Sequence, residues 1–368
     1  MGWADGNVVY PATGAEASLR EADLDDVRGP PVPVSATPRV LVIPDGLAER
    51  AGAGDPSTTL DVIRPLALDA LARRGAVRRV AVTPDGLHPG SETGLTVLFG
   101  WTPTGAVSRG RIEAAAHGID VEGGDARAVH RVDVRHADGR PWPELAEPAF
   151  DRLAAANPGH AVHRLAGHRL LAIGTVEPTL PTIDGLEGAE DPDDAPRLKL
   201  WPDGEVPPPL LDEQTVVVCA PRSTAAGIAR LMGAETVHPS GATGRPGTDI
   251  AAKARAAVAL MRDGVPTVIV HVGSPDEAAH DHDPQAKQLE AQRIDRDLLA
   301  PLAGVAMDLG SLLAVCPDHG TDPRSGRHVA DPVPAVLWGP GVLRSGPDTV
   351  RERLVANEPV VATPWTLV

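Results

Sequence analysis

Apolar residues recur along this chain in two rhythms, short unbroken runs and helix-spaced stripes, and the two alternate. The run Val40-Leu-Val-Ile43 is stopped by Pro44 and Asp45, which reads as a buried strand. From Leu60 to Arg74 apolar side chains fall at 60, 63, 67, 68, 71 and 72, a helical stripe closed by Gly75. Val77 to Val82 is the next strand. Strand, helix and strand with no hairpin signal between them predict a parallel, doubly wound sheet in an α/β fold. The alternation returns late in the chain. There Thr215–Ala220, Thr267–Val272, Leu312–Cys316 and Ala335–Trp338 read as strands, and Ala225–Met232 and Ile250–Met261 as helices.

Between residues 105 and 212 the rhythm changes. Alternating stretches starting at Ala128, Ala161 and Arg169 predict strands of a smaller α+β unit, and Asp184 to Pro209, rich in Pro, Asp and Glu, reads as loop. The expected organisation is an N-terminal extension (1–38), a core (39–104 and 213–368) and an inserted cap domain (105–212).

The strand ends carry the chemistry. Leu-Val-Ile-Pro-Asp45, Val-Gly-Ser-Pro-Asp276 and Val-Cys-Pro-Asp318 each deliver a carboxylate after an apolar run. Ligands of an open parallel sheet bind outside the carboxyl ends of its strands, so distant parts of the chain would bring these acids to one edge. Val-Thr-Pro-Asp85 has the same form, so the motif by itself overcounts. A helix starting at Pro275 would put Asp276 and His280 on one face of its first turn. Adding His319 and His328, the stretch from His271 to His328 offers a dense Asp/His donor set without Cys. That set suits Mn²⁺, Zn²⁺ or Mg²⁺.

Composition narrows the picture. The chain has 368 residues and a net charge of −16, from 34 basic and 50 acidic side chains. Such a surface argues against general binding to nucleic acid or anionic membranes. An anionic substrate would need locally concentrated positive charge. Cys219 and Cys316 lie in apolar runs and read as small buried hydrophobes. With no long apolar run and no basic-then-apolar N-terminus, a soluble cytoplasmic protein is expected.

One loop stands apart: His88-Pro-Gly-Ser91-Glu-Thr-Gly94, opening an apolar run. Ser91 reads either as a simple helix N-cap or as a nucleophile at a helix N-terminus, where backbone N–H groups favour phosphate.

Taken in order, these pieces resemble the archaeal-type cofactor-independent phosphoglycerate mutases of the alkaline phosphatase superfamily. The resemblance rests on Pro44-Asp45-Gly46, Pro89-Gly-Ser91-Glu, Arg109-Gly, Gly167-His-Arg169, and Gly241-Ala-Thr-Gly244 with Thr248 and Lys253. It continues through Asp276-Glu-Ala-Ala-His280 with Lys287 and Ile294-Asp295, Pro317-Asp318-His319, and His328-Val-Ala-Asp-Pro-Val-Pro. It implies two divalent ions, Mn²⁺ foremost, with Zn²⁺ or Mg²⁺ as alternatives. Asp45, Ser91, Asp318 and His319 would hold one, and Asp276, His280 and His328 the other. Ser91 would carry the phosphoryl group, and the cap would grip a small phosphorylated carboxylate through Arg109, Arg169 and Lys253. His271 would be a strand residue near the site.

The chain also departs from the family. After Ser91 it loses an Asn and an Asp, the Arg-Asn pair of the cap has no clean match near Val129–Val132, and an Asp-Pro-His stretch is replaced. A segment with an Arg-Gly turn before Thr215 is missing. A phosphatase, or a phosphonate-handling enzyme, on the same core is therefore the alternative to a mutase, and a non-catalytic metabolite-binding relative is a third reading.

Overall fold

A computed structural model describes residues 37–367, apart from 52, 53, 55, 122–126, 137–140, 143–146, 166 and 183–195. Residues 1–36 of the expected extension lie outside the described residues.

The chain enters on β1 (Arg39–Pro44) and passes through α1 (Thr59–Ile63) and α2 (Leu66–Arg74) to β2 (Ala76–Val80). The single helix expected over Leu60–Arg74 is thus two. Arg64 adopts a left-handed conformation (φ 50°) and Pro65 takes the N-cap of α2, because proline cannot donate to a preceding turn. Next come α3 (Ser91–Leu98), α4 (Arg109–His117), β3 (Ala128–Arg135), α5 (Glu147–Ala156), β4 (Ala161–Arg164), β5 (Arg169–Gly174) and β6 (Arg197–Trp201). Strand β6 falls in the stretch read as loop, whose first half lies outside the described residues. Its alternation is only five residues long, between proline-rich flanks, too short to stand out.

The remainder runs β7 (Thr215–Val218), α6 (Thr224–Met232), β8 (Glu235–Val237), α7 (Ile250–Arg262), β9 (Thr267–Val272) and α8 (Ser274–His280). It ends with α9 (Pro284–Ile294), α10 (Ala300–Leu309), β10 (Leu312–Val315), β11 (Gly320–Asp322), β12 (Arg327–Val329), β13 (Val333–Trp338), α11 (Glu352–Val355) and β14 (Val360–Val361).

Eight strands form one sheet in the order β14-β2-β13-β10-β1-β9-β7-β8. It is mostly parallel, as expected, but β13 runs antiparallel to both its neighbours. Strand β2 does not lie beside β1; it pairs with β13 and β14. The centre is the part that matters for the site. Strand β1 is flanked by β10 and β9, in parallel register from Arg39↔Leu312 and Arg39↔Thr267. Both faces are covered, so these strands are apolar throughout. Val40, Val42, Val270 and Leu313 face the layer that includes Ala254, Ala257 and Leu302. Leu41, Ile43, Ile269 and Ala314 face that of Leu95, Leu98 and Ile228. Cys219 and Cys316 are buried free thiols, as expected.

A separate antiparallel sheet, order β4-β5-β3-β6, lies within residues 105–212. Val132, Val134 and Leu170 pack with Leu153 of α5, while Val129, Leu171 and Ile173 pack with Ala114 of α4. Helix α4 also meets the core. A Cβ at Gly227 of α6 would lie 2.2 Å from the Ile112 carbonyl oxygen, so only glycine admits this approach.

Candidate metal centre

Because β10, β1 and β9 are adjacent and parallel, the acids that follow them arrive together. Asp45, Asp276 and Asp318 are all buried. Asp85, which has the same motif, follows the remote strand β2 and is exposed. Pairing order, which the motif does not encode, separates the three from the fourth.

Ser91 is the first residue of α3, with Gly90 as N-cap, so it is not the cap residue that the plainer reading made it. Helix α3 seats against the Asp318 loop so tightly that a Cβ at Gly94 would lie 1.8 Å from the Asp318 carbonyl oxygen. That contact holds Ser91 one turn away over the sheet edge. Its Oγ lies 3.4 Å from Asp45 Oδ1 and 3.3 Å from His319 Nε2. His319 Nε2 is in turn 3.1 Å from Asp45 Oδ1 and 3.8 Å from Asp318 Oδ2. The Gly46 N–H donates to Asp318 Oδ1 (3.2 Å).

On the other side, Asp276 and His280 share a face of α8, as their spacing predicts, with His280 Nε2 3.3 Å from Asp276 Oδ2. His328, from β12, brings Nε2 to 3.0 Å from His280 Nε2 and 3.6 Å from Asp276 Oδ1. Its Nδ1 lies 3.0 Å from the Pro89 carbonyl oxygen, which can only accept, so the lone pair of the neutral ring sits on Nε2. Donor atoms of Asp45, Asp318 and His319 lie within 4.8 Å of one another, as do those of Asp276, His319 and His328. His319 therefore lies within reach of both sets. His271 belongs to β9, and its Nε2 lies 3.2 Å from Asp45 Oδ2.

The electrostatics of this cluster call for cations. Burial, then the neighbouring Asp45 carboxylate, pushes Asp318 up to about 7. Burial works against charge on Asp45 as well, but bonds to His271 and His319 outweigh it and hold Asp45 well below the carboxylate range. For His319 burial opposes protonation, yet the charges of Asp318 and Asp276 dominate and raise it. Burial and the charge of His319 lower His328 to about 4. Asp318 Oδ2 is buried without a hydrogen-bond partner. Crowded carboxylates, an orphaned carboxylate oxygen and imidazole nitrogens of fixed tautomer form an N/O donor set that fits divalent ions.

The expected grip residues each have partners within the chain. Arg109 pairs with Glu92, next to Ser91, and its guanidinium lies 4.0 Å over the Trp201 ring. Arg169 pairs with Glu113 (3.2 Å). Lys253 is fully buried, donates to the His271 carbonyl (2.7 Å), and is lowered to about 8 by burial.

Sequence reasoning missed a polar face on the smaller sheet. Arg131, Asp133 and Arg135 alternate along β3 and share one face; Asp133 lies opposite Arg169 and Lys199, and Arg131 opposite Trp201. Asp133 accepts from Arg131, Arg135 and Trp201, and Arg131 also reaches Glu113 (3.0 Å). Burial, then the charge of Arg135, depresses Lys199, whose Nζ lies 3.8 Å over Trp201. The signal was present as charges at positions 131, 133 and 135, alternating with Val132 and Val134.

Residues 37–362 match the Metalloenzyme superfamily, and the chain belongs to it. Among curated proteins it is 26% identical to 2,3-bisphosphoglycerate-independent phosphoglycerate mutase 1 of Archaeoglobus fulgidus, over 83% of this chain and 90% of that one. It is 28% identical to the 2,3-bisphosphoglycerate-independent phosphoglycerate mutase of Ignicoccus hospitalis, covering 86% and 92% respectively. Among solved structures, a Pyrococcus horikoshii protein superposes with a TM-score of 0.66 at 24% identity, covering 88% of this chain and 92% of that one. The cofactor-independent phosphoglycerate mutase of Thermoplasma acidophilum superposes with a TM-score of 0.54 at 17% identity, covering 90% and 97%. The fold is thus the one the sequence resemblance implied. No helix among the described residues is long and apolar enough to cross a membrane.

Proposed function

We propose that the chain is a metal-dependent phosphoryl-transfer enzyme interconverting 3-phosphoglycerate and 2-phosphoglycerate. The observation that carries this is Ser91 Oγ at the start of α3, within 3.4 Å of Asp45 Oδ1 and 3.3 Å of His319 Nε2. In this reading Asp45, Ser91, Asp318 and His319 hold one divalent ion, and Asp276, His280 and His328 hold a second, with Mn²⁺ as the first candidate. When bound, such ions lower the pKa of a serine hydroxyl and neutralise charge on the transferring phosphoryl oxygens.

Ser91 Oγ attacks phosphorus, the ester P–O bond of the substrate breaks, and the phosphoryl group rests on Ser91. The leaving glycerate oxygen takes up a proton equal to the one Ser91 gave up; its other hydroxyl then attacks the same phosphorus, the Ser91 Oγ–P bond breaks, and the proton released by that hydroxyl restores the serine. The cap domain (105–212) excludes water while this happens, and Arg169 and the Arg109–Trp201–Lys199 wall orient the anionic substrate. Lys253, buried beneath His271, supports the floor of the site.

A second reading, a phosphatase or phosphonate-handling enzyme, is favoured by one observation: Arg109, Arg131, Arg135 and Arg169 are all paired with carboxylates of the chain itself. An assay coupled to enolase, with Mn²⁺ and 3-phosphoglycerate, separates the two. Formation of 2-phosphoglycerate by the wild-type chain, absent in Ser91→Ala, is expected. Release of inorganic phosphate from other esters, without 2-phosphoglycerate, would overturn the mutase reading.

A further inference from the structure

Thr321 follows His319 by two residues and is fully buried in β11. Its hydroxyl oxygen lies 2.5 Å from Asp276 Oδ1 and 3.2 Å from His319 Nδ1. A hydroxyl has one proton. The carboxylate can only accept, so that proton goes to Asp276, and toward His319 the oxygen can only accept. Nδ1 of His319 must then carry a hydrogen, which leaves Nε2 as the bare nitrogen of the neutral ring. That nitrogen is the one turned toward Asp45, Asp318 and Ser91. The Gly320 carbonyl, 3.3 Å from Nδ1, demands the same tautomer.

The hydroxyl is itself held in place from several directions. The Thr321 N–H donates to the carbonyls of Ala48 (2.9 Å) and Gly46 (3.2 Å). Its carbonyl accepts from the buried Lys287 amine (2.6 Å), which is 3.1 Å from Glu49. Across the β11–β12 ladder it lies opposite His328. A Cβ at Gly46 would lie 2.7 Å from the Thr321 hydroxyl and 2.4 Å from Asp276 Oδ1, so glycine beside Asp45 makes room for this contact.

We propose that Thr321 is a positioning residue shared by both ligand sets, its one hydroxyl fixing the Asp276 carboxylate on one side and the His319 ring on the other. The inference rests on the metal-centre reading and adds to it a coupling between the two ions. Outer-shell partners of this kind typically change metal affinity about 10- to 100-fold when removed.

The test is titration of the metal-stripped full-length chain with Mn²⁺ against a competing chelator, for wild type, Thr321→Val and Thr321→Ser. Two bound ions are expected for wild type. Thr321→Val should weaken both about 10- to 100-fold, more strongly for the Asp276 set, because Asp276 loses the hydroxyl's proton directly while His319 Nδ1 keeps the Gly320 carbonyl as a partner. Thr321→Ser should restore both to within about threefold, since it keeps the hydroxyl. Should Thr321→Val fail to fold, Thr321→Ala against Thr321→Ser makes the same comparison. Unchanged affinities in the hydroxyl-free variant, or a loss confined to one ion, would overturn the shared role while leaving the metal centre standing. A wild-type chain that takes up no ion would overturn both.

Discussion

The edge of the large sheet and the polar face of the small one solve opposite problems. At the edge, Asp45, Asp276 and Asp318 crowd negative charge into a buried space, with His319 and His271 as close compensation for Asp45. On the small sheet, Arg131, Arg135, Arg169 and Lys199 gather around a single buried Asp133 and the Trp201 ring. Carboxylates dominate the first region and basic side chains the second. Between them runs one short connection, Ser91 to Glu92 to Arg109 to Trp201. The proposed function puts a phosphorylated acid between these two walls, its phosphoryl group toward the acidic edge and its other anionic group toward the arginines.

The largest expected effect falls on the connection. Ser91→Ala should lower turnover at least about a thousandfold while elemental analysis finds the metal content largely intact, since three ligands of that ion remain. Persistent turnover would remove Ser91 from the chemistry.

Next comes the acidic edge. Asp318→Asn should weaken binding of one ion about 100-fold. The metal-stripped variant should nonetheless be the more stable protein at pH 8, by on the order of 2 kcal/mol. Asp318 is raised from 3.8 to about 7, so the folded chain holds a proton that the unfolded chain has already released. Its contribution is present below the unfolded value and is lost as pH rises through 7; asparagine has nothing to lose. Denaturant melts in chelator at pH 5 and pH 8 measure this. A variant that gains nothing at pH 8 would mean the edge is not electrostatically crowded.

On the cationic face, Arg131→Met should reduce kcat/KM about 30-fold and destabilise the small sheet by about 3 kcal/mol, because Glu113 and Asp133 lose a buried partner. Arg131→Lys should not rescue it, since one ammonium cannot span two carboxylates as a guanidinium does. Equal activity of the two variants and the wild type would assign this face to structure alone. The smallest effect is reserved for Lys199→Met. KM should rise about three- to tenfold with kcat within about twofold, the signature of uniform substrate binding. A fall in kcat at constant KM would instead place Lys199 at the reacting atoms.

Much of this was readable in the residues. Apolar runs of four to six, each ending on Pro-Asp or Ser-Pro-Asp, fixed β1, β9 and β10 and placed their acids, because a strand buried on both faces leaves no polar pattern except at its end. The i, i+4 spacing of Asp276 and His280 placed them on one helical face. Other features depended on contacts far apart in sequence. Strand order made Asp85 a surface residue while its three look-alikes met. Helix α3 pressing on the Asp318 carbonyl made Ser91 a first-turn residue over the metal site instead of a cap. Arg131, Lys199 and Trp201 became one wall only when β3 and β6 paired in register. Thr321 acquired its two partners through the turn after β10. Periodicity and chain ends are local and follow from burial and hydrogen bonding along one segment. Which segments become neighbours depends on packing of the whole, and there the tertiary structure alone decided.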